Sequence, residues 1–105
     1  MSTITLKGCS GSSYEFTVYK KETTFKAVGG VYYIAKIIEN THYRIYLGIT
    51  NDLSTRFDNH HKENCFKNNN ATHICIYRSS TESERIRIEK DILCKYNFPC
   101  NEVNN

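Results

Sequence analysis

The chain has 105 residues, 39% hydrophobic and 12% aromatic, with eight Tyr, five Phe and no Trp. A chain of this size buries only about 60–70% of its unfolded surface, which excludes a second independent core. No apolar run approaches the ~20 residues of a membrane-spanning helix, no basic segment leading into an apolar stretch marks a secretory signal, and a net charge of +3 permits a nucleic-acid partner without requiring one.

Residues 2–6 alternate β-branched and apolar side chains with polar ones, and Gly8-Cys9-Ser10-Gly11-Ser12 reads as a loop. Residues 14–19 alternate again, with Tyr14, Phe16 and Val18 on one face, so 1–28 contains a predicted N-terminal β-hairpin. A polar stretch over 20–26 leads to Gly29-Gly30, a break where the backbone is free to turn. Strand-like runs over 31–38 and 42–49 flank Glu39-Asn40-Thr41, a turn that makes them a second hairpin. Asn51 or Asp52 can cap a helix running to about Asn64, Asn68-Asn69-Asn70 is a loop, and 72–77 is strand-like. Thr81-Glu82-Ser83-Glu84 has capping-box spacing for a second helix, which should end near Asn97 with Pro99 just beyond. The predicted order is β-β-β-β-α-β-α, a hairpin extension over 1–28 followed by one domain over 29–105.

The five cysteines, at 9, 65, 75, 94 and 100, form an odd set with no C-x-x-C pair. This predicts reduced, structural thiols in a cytoplasmic protein, with Cys75 in Ile74-Cys75-Ile76 acting as a small hydrophobe. No cysteine has the setting of a Cys/His nucleophile.

Polar residues stand on two helical faces that should be apolar. At 100° per residue, Ile86, Ile88, Ile92, Leu93 and Tyr96 share one arc of the second helix, with Glu89 near its centre. A carboxylate there is costly unless paired, protonated or bound to a cation. It is either an ion pair with Arg85, one turn earlier, or a metal-binding or acid/base group. On the first helix Leu53, Phe57 and His60 line one side, with Arg56 at its edge. Arg offers a rigid fork of donors suited to phosphate, and His can move a proton near neutral pH. His42, His61 and His73, and Tyr33, Tyr43 and Tyr77, read as ordinary strand, core or surface residues.

Gly30-Val31-Tyr32, Tyr46-Leu47-Gly48, Arg56, Glu89 and Asn101 form an ordered set that resembles the GIY-YIG nuclease superfamily. Gly48-Ile49-Thr50-Asn51-Asp52-Leu53 followed by Arg56 and His60 is similar to the corresponding stretch of its small stand-alone members. The run from Glu89 through Ile92-Leu93 to Pro99 and Asn101 is similar to the family's closing segment. The resemblance covers 29–101 and leaves the N-terminal hairpin unassigned. It implies an α+β fold with a small three-stranded, mainly antiparallel sheet flanked by helices, the hairpin being an elaboration that extends the sheet or covers an edge.

The chemistry implied is metal-dependent hydrolysis of DNA phosphodiesters. Glu89 would hold one Mg²⁺ (or Mn²⁺), Arg56 would contact the scissile phosphate, and Tyr32 or Tyr46 would orient or deprotonate the attacking water. His60 would bridge the network or relay a proton, and Asn101 would pin the active-site backbone. Val31 and Leu47 stand where the motif has isoleucines, 13 residues separate Tyr32 from Tyr46, and Arg85 could compete with a metal for Glu89. Residues 1–28 carry a net +2 and the remainder +1, so general attraction for phosphate is weak. Specificity would then come from a protein partner or a homodimer. The competing functions are a nucleic-acid-binding module without catalysis and a protein-interaction module on the same fold.

Overall fold

Alternating side chains in the N-terminal segment and mainly apolar runs further on build five strands, and all five enter one sheet. The computed structural model describes residues 2–57 and 60–101. The strands are β1 (Thr3–Lys7), β2 (Ser13–Lys20), β3 (Gly30–Ile38), β4 (Thr41–Thr50) and β5 (His73–Arg78). Their spatial order is β1-β2-β5-β3-β4, antiparallel at every junction. The result is a curled half-barrel and not the three-stranded sheet flanked by helices that the resemblance implied. The difference has a physical cause. A sheet of β5, β3 and β4 alone would leave β5 with an unpaired row of backbone donors and acceptors. Here Thr17–Lys20 of β2 pair with Ile76, Cys75, Ile74 and His73, so the N-terminal hairpin closes that edge.

The hairpin also shares the core. Leu6, Tyr14 and Phe16 are buried with Val31, Tyr33, Ala35, Leu47 and Cys75 on one face of the sheet, under Ile88, Ile92 and Phe98. The opposite face buries Tyr32, Ile34, Ile45, Tyr46, Ile74 and Ile76 against Leu53 and Cys100. With both faces covered, the central strand β3 is buried continuously from Gly30 to Ala35. Its connection to β4 is the two-residue turn Glu39-Asn40, both at positive φ (46° and 68°), as a type I′ hairpin requires. A bulge shifts the register of the pair, so that Ile34 faces Tyr46 while Ala35 faces Arg44. Ile45 and Tyr46 are therefore both buried on the same side.

The predicted helix from 51 or 52 to 64 is instead two short ones, α1 (Leu53–Arg56) and α2 (Glu63–Asn68), and positions 58 and 59 lie outside the described residues. Asp52 caps α1, its carboxylate accepting from the Ser54 N–H at 2.9 Å. His60 Nδ1 accepts from the Lys62 N–H at 3.0 Å. In a continuous helix that N–H would bond a carbonyl four residues back, so this local bond favours the break. The second predicted helix forms as α3 (Glu82–Lys95), with Thr81 Oγ1 accepting from the Glu84 N–H at 3.3 Å. Its buried residues are Arg85, Ile88 and Ile92, whereas Ile86 is 37% exposed. The inward face is thus rotated from the predicted arc, and Glu89 stands half-buried at its margin.

Four of the five cysteines are paired, which corrects the reading of all five as reduced. Cys9–Cys94 ties the β1–β2 loop to the end of α3, and Cys65–Cys100 ties α2 to the 3-10 turn Pro99–Asn101. Their sequence separations are 85 and 35 residues, so only the chain path brings them together. Cys75 is the free thiol, buried and pushed up to about 12 by that burial. Asp91 of α3 strengthens the first tie, accepting from Ser10 N–H (2.9 Å), Ser10 Oγ (2.6 Å) and the Tyr14 hydroxyl (2.7 Å). Those bonds hold its carboxyl below the usual range.

Asn101 completes the opposite edge. Its Oδ1 accepts from the Leu47 N–H at 2.8 Å and its Nδ2 donates to the Leu47 carbonyl at 2.9 Å. The side-chain amide acts as one residue of an additional strand along β4. Asn101→Ala removes both bonds, and a loss of roughly 1–3 kcal/mol of unfolding free energy is expected in denaturant titration. An unchanged midpoint would show that the edge is held by other contacts.

Candidate active site

Tyr32 stands on the central strand, so its ring is fully buried and its hydroxyl must find partners inside the protein. It finds two. The Tyr32 oxygen lies 2.7 Å from His60 Nε2, and it accepts from Arg56 Nε at 3.0 Å. The short helix α1 delivers Arg56 at its last position, and the break after α1 lets His60 turn back onto the sheet. His60, 5% exposed, is depressed to about 4, first by burial and then by the charge of Arg56, with His61 and Lys62 adding to it. It is therefore neutral at pH 7. Because its Nδ1 already accepts from Lys62, its single proton belongs on Nε2 and is donated to Tyr32.

With its oxygen accepting two bonds, Tyr32 has its own O–H free to donate. Tyr46 lies beside it, the ring centroids 5.9 Å apart. Burial raises Tyr46 above the ordinary tyrosine range, while the neighbouring Tyr32 hydroxyl and Arg56 guanidinium pull it back down. Burial likewise raises Tyr32, with Tyr46 adding to the effect and Arg56 opposing it. Tyr46 keeps 8% exposure against none for Tyr32, which makes it the tyrosine at the surface of the cluster. Burial is the largest influence on both tyrosines, and both stand above the usual range.

Gly48 makes the arrangement sterically feasible. A Cβ there would come within 2.6 Å of Tyr32 Cζ and its hydroxyl oxygen and 2.7 Å of Tyr46 Cε2. Gly30 has a similar part at the start of β3, where a Cβ would fall 2.9 Å from the Tyr77 carbonyl oxygen. Phe57 packs edge-on against Tyr32 (5.0 Å), and Phe66 of α2 packs on Tyr46 (5.5 Å) and His60 (4.9 Å). His61 stacks on His60 at 4.5 Å. Phe66 and His61 were not singled out in the sequence, since their roles depend on where the break places α2.

Glu89 approaches from α3. Its negative charge is among the influences that raise Tyr46. Burial raises Glu89 itself, with Lys90 opposing. The ion pair with Arg85 does not form. Arg85 Nη1 donates instead to the Ser79 carbonyl at 2.8 Å, and the only salt bridge among the described residues is Lys67–Glu63. Among those residues no three His, Cys, Asp or Glu side chains converge. Among the described residues Glu89 has no hydrogen-bond or ion-pair partner, and such a half-buried carboxylate suits a divalent ion retaining most of its water. Asn101 does not enter the cluster and acts through the Leu47 backbone, next to Tyr46 and Gly48.

Two outcomes test this geometry. The lowered His60 value means that the unfolded chain binds a proton at pH values where the folded one does not. Stability should fall as the pH drops from about 6.5 towards 4, by on the order of 3 kcal/mol, and His60→Gln should flatten that slope. Imidazole NMR titration with a His60 midpoint near 6.5 would contradict the burial of the ring. Gly48→Ala should displace Tyr32 or Tyr46 and destabilise the fold by roughly 1–3 kcal/mol, read by thermal melting and by altered aromatic shifts of the two tyrosines.

Compared with protein-family models, curated proteins and solved structures, the chain matches none.

Proposed function

We propose that this chain is a metal-dependent DNA endonuclease, structure-selective or weakly specific, acting in DNA repair, recombination or mobile-element biology. The observation that carries the reading is the Tyr32 hydroxyl, where Arg56 and His60 meet beside Tyr46 over Gly48. These residues lie up to 28 residues apart in sequence, and the motif resemblance includes all of them.

Glu89 would hold Mg²⁺ or Mn²⁺, which supplies positive charge to the scissile phosphate and the leaving oxygen when bound. Arg56 is fixed through Nε by Tyr32, so its terminal nitrogens are available to a phosphate oxygen. Tyr46 is the better placed base. The neighbouring Tyr32 hydroxyl and Arg56 pull it down, and neutralising the Glu89 carboxylate removes a charge that raises it. With its own proton given up to solvent, the Tyr46 oxygen would take a proton from the attacking water as the water oxygen bonds to phosphorus; the bond from phosphorus to the leaving-strand oxygen breaks, and that oxygen takes a proton from solvent. His60 keeps Tyr32 in the donating orientation.

The mild charge of the 29–105 segment favours a substrate delivered or oriented by a protein partner or a second copy of the chain. No helix among the described residues is long and apolar enough to cross a membrane. A cytoplasmic location rested on reduced cysteines; the two disulfides withdraw that support and favour an oxidising setting.

Supercoiled plasmid and a panel of branched, flapped and duplex DNAs, incubated with Mg²⁺ or Mn²⁺, test the reading. Nicking should fall about 100-fold or more in Glu89→Gln and in Arg56→Ala. Cleavage that survives in Glu89→Gln would refute the assigned mechanism. Salt-dependent DNA binding with no product at any metal concentration would establish the binding-module alternative instead.

A further inference from the structure

Arg85 is a buried charge that the fold holds by one backbone carbonyl and that the proposed chemistry does not use. It is 7% exposed, and the protein bond recorded for its guanidinium is the one from Nη1 to the Ser79 carbonyl. A guanidinium carries five N–H donors and a full positive charge. No carboxylate among the described residues lies within ion-pair distance of it. Glu84 is turned to Ser79 Oγ, and Glu89, one turn along, does not reach it. Its remaining nitrogens reach solvent, and a guanidinium set this deep gains from an anion supplied from outside.

The place for that anion is open. Arg85 and Arg56 line the same cleft, about 410 Å³, with Ile49, Thr50 and Asn51 from the end of β4. Glu82 also lines it, but is exposed, where solvent and salt screen its opposing charge. Arg56 comes from α1 and Arg85 from the first turns of α3, so two separate elements each contribute a guanidinium to one cavity. Arg56 is held by its Nε and Arg85 by its Nη1, which leaves a fork of donors on each.

We infer that this cleft is a phosphate subsite in which Arg85 binds the backbone phosphate next to the one held by Arg56. Its ligand class is the nucleic-acid phosphodiester. That identity rests on the endonuclease reading, whereas the anion site rests on Arg85 itself. Arg85 is then a positioning residue that sets the register of the strand over Tyr46 and Glu89.

The test is an NMR titration of the intact chain, following arginine side-chain Nε–H signals with inorganic phosphate and, separately, a short DNA duplex. Both should move the Arg85 signal saturably, and sodium chloride at matched ionic strength should not. Phosphate moving Arg85 no more than chloride does would overturn the proposal, and this readout needs no variant to fold. In nicking assays Arg85→Gln should raise KM about tenfold with kcat within about twofold. It should also lower the salt slope of DNA affinity by about 1, and Arg85→Lys should restore part of the loss. Nicking with an unchanged KM and salt slope in Arg85→Gln would reject the subsite while leaving the nuclease intact. Phosphate binding at Arg85 without any cleavage by the wild type would do the reverse.

Discussion

A single buried hydroxyl organises this protein. Tyr32 sits on the central strand with its ring out of solvent, and an unsatisfied oxygen there would cost about 1–3 kcal/mol. Its partners, Arg56 and His60, flank the point where the helical segment breaks, so satisfying that oxygen also fixes the path of the chain after β4. The close approach of the two tyrosine rings then requires glycine at 48. Gly48, the helix break and the neutral tautomer of His60 are consequences of one constraint.

The periphery keeps that centre in register. Asn101 holds the backbone of Leu47, the residue between Tyr46 and Gly48, and Cys100 beside it is bonded to Cys65 of α2. The C-terminal turn thereby joins the outer strand to the helix that packs Phe66 on Tyr46 and His60. On the other side, Asp91 and Cys94 bind α3 to the β1–β2 loop, which sets the angle at which α3 presents Glu89 and Arg85. The N-terminal hairpin belongs to this support, since its Phe16 and Tyr14 lie in the same core as Ile88 and Ile92.

Much of this was legible in the sequence, for local reasons. Period-two alternation locates β1 and β2, strand-like runs locate β3, β4 and β5, Glu39-Asn40-Thr41 marks the second hairpin, and Thr81 marks the start of α3. The grouping of Tyr32 with Tyr46, Arg56 and His60 is legible because a short ordered motif spans two paired strands and the helix that follows. The features missed are non-local. Pairing of Val18 with Cys75 joins segments more than half the chain apart, and no pattern within either segment announces it. The disulfides are hidden for the same reason. The break before α2 depends on His60 binding both Tyr32 and Lys62, and periodicity alone cannot anticipate tertiary bonds. On α3, Arg85 rather than Ile86 turns inward because the Ser79 carbonyl and the space beside Gly29 receive its guanidinium.

The central claim is that the Tyr32 oxygen assembles a phosphodiester-cleaving site. Tyr32→Phe removes that oxygen alone and keeps the packed ring, so it separates chemistry from core filling. Single-turnover nicking of supercoiled DNA with Mg²⁺ should proceed with the wild type and slow by about 100-fold or more in Tyr32→Phe, assayed at a temperature where both proteins remain folded. Equal rates in the two proteins would contradict the account.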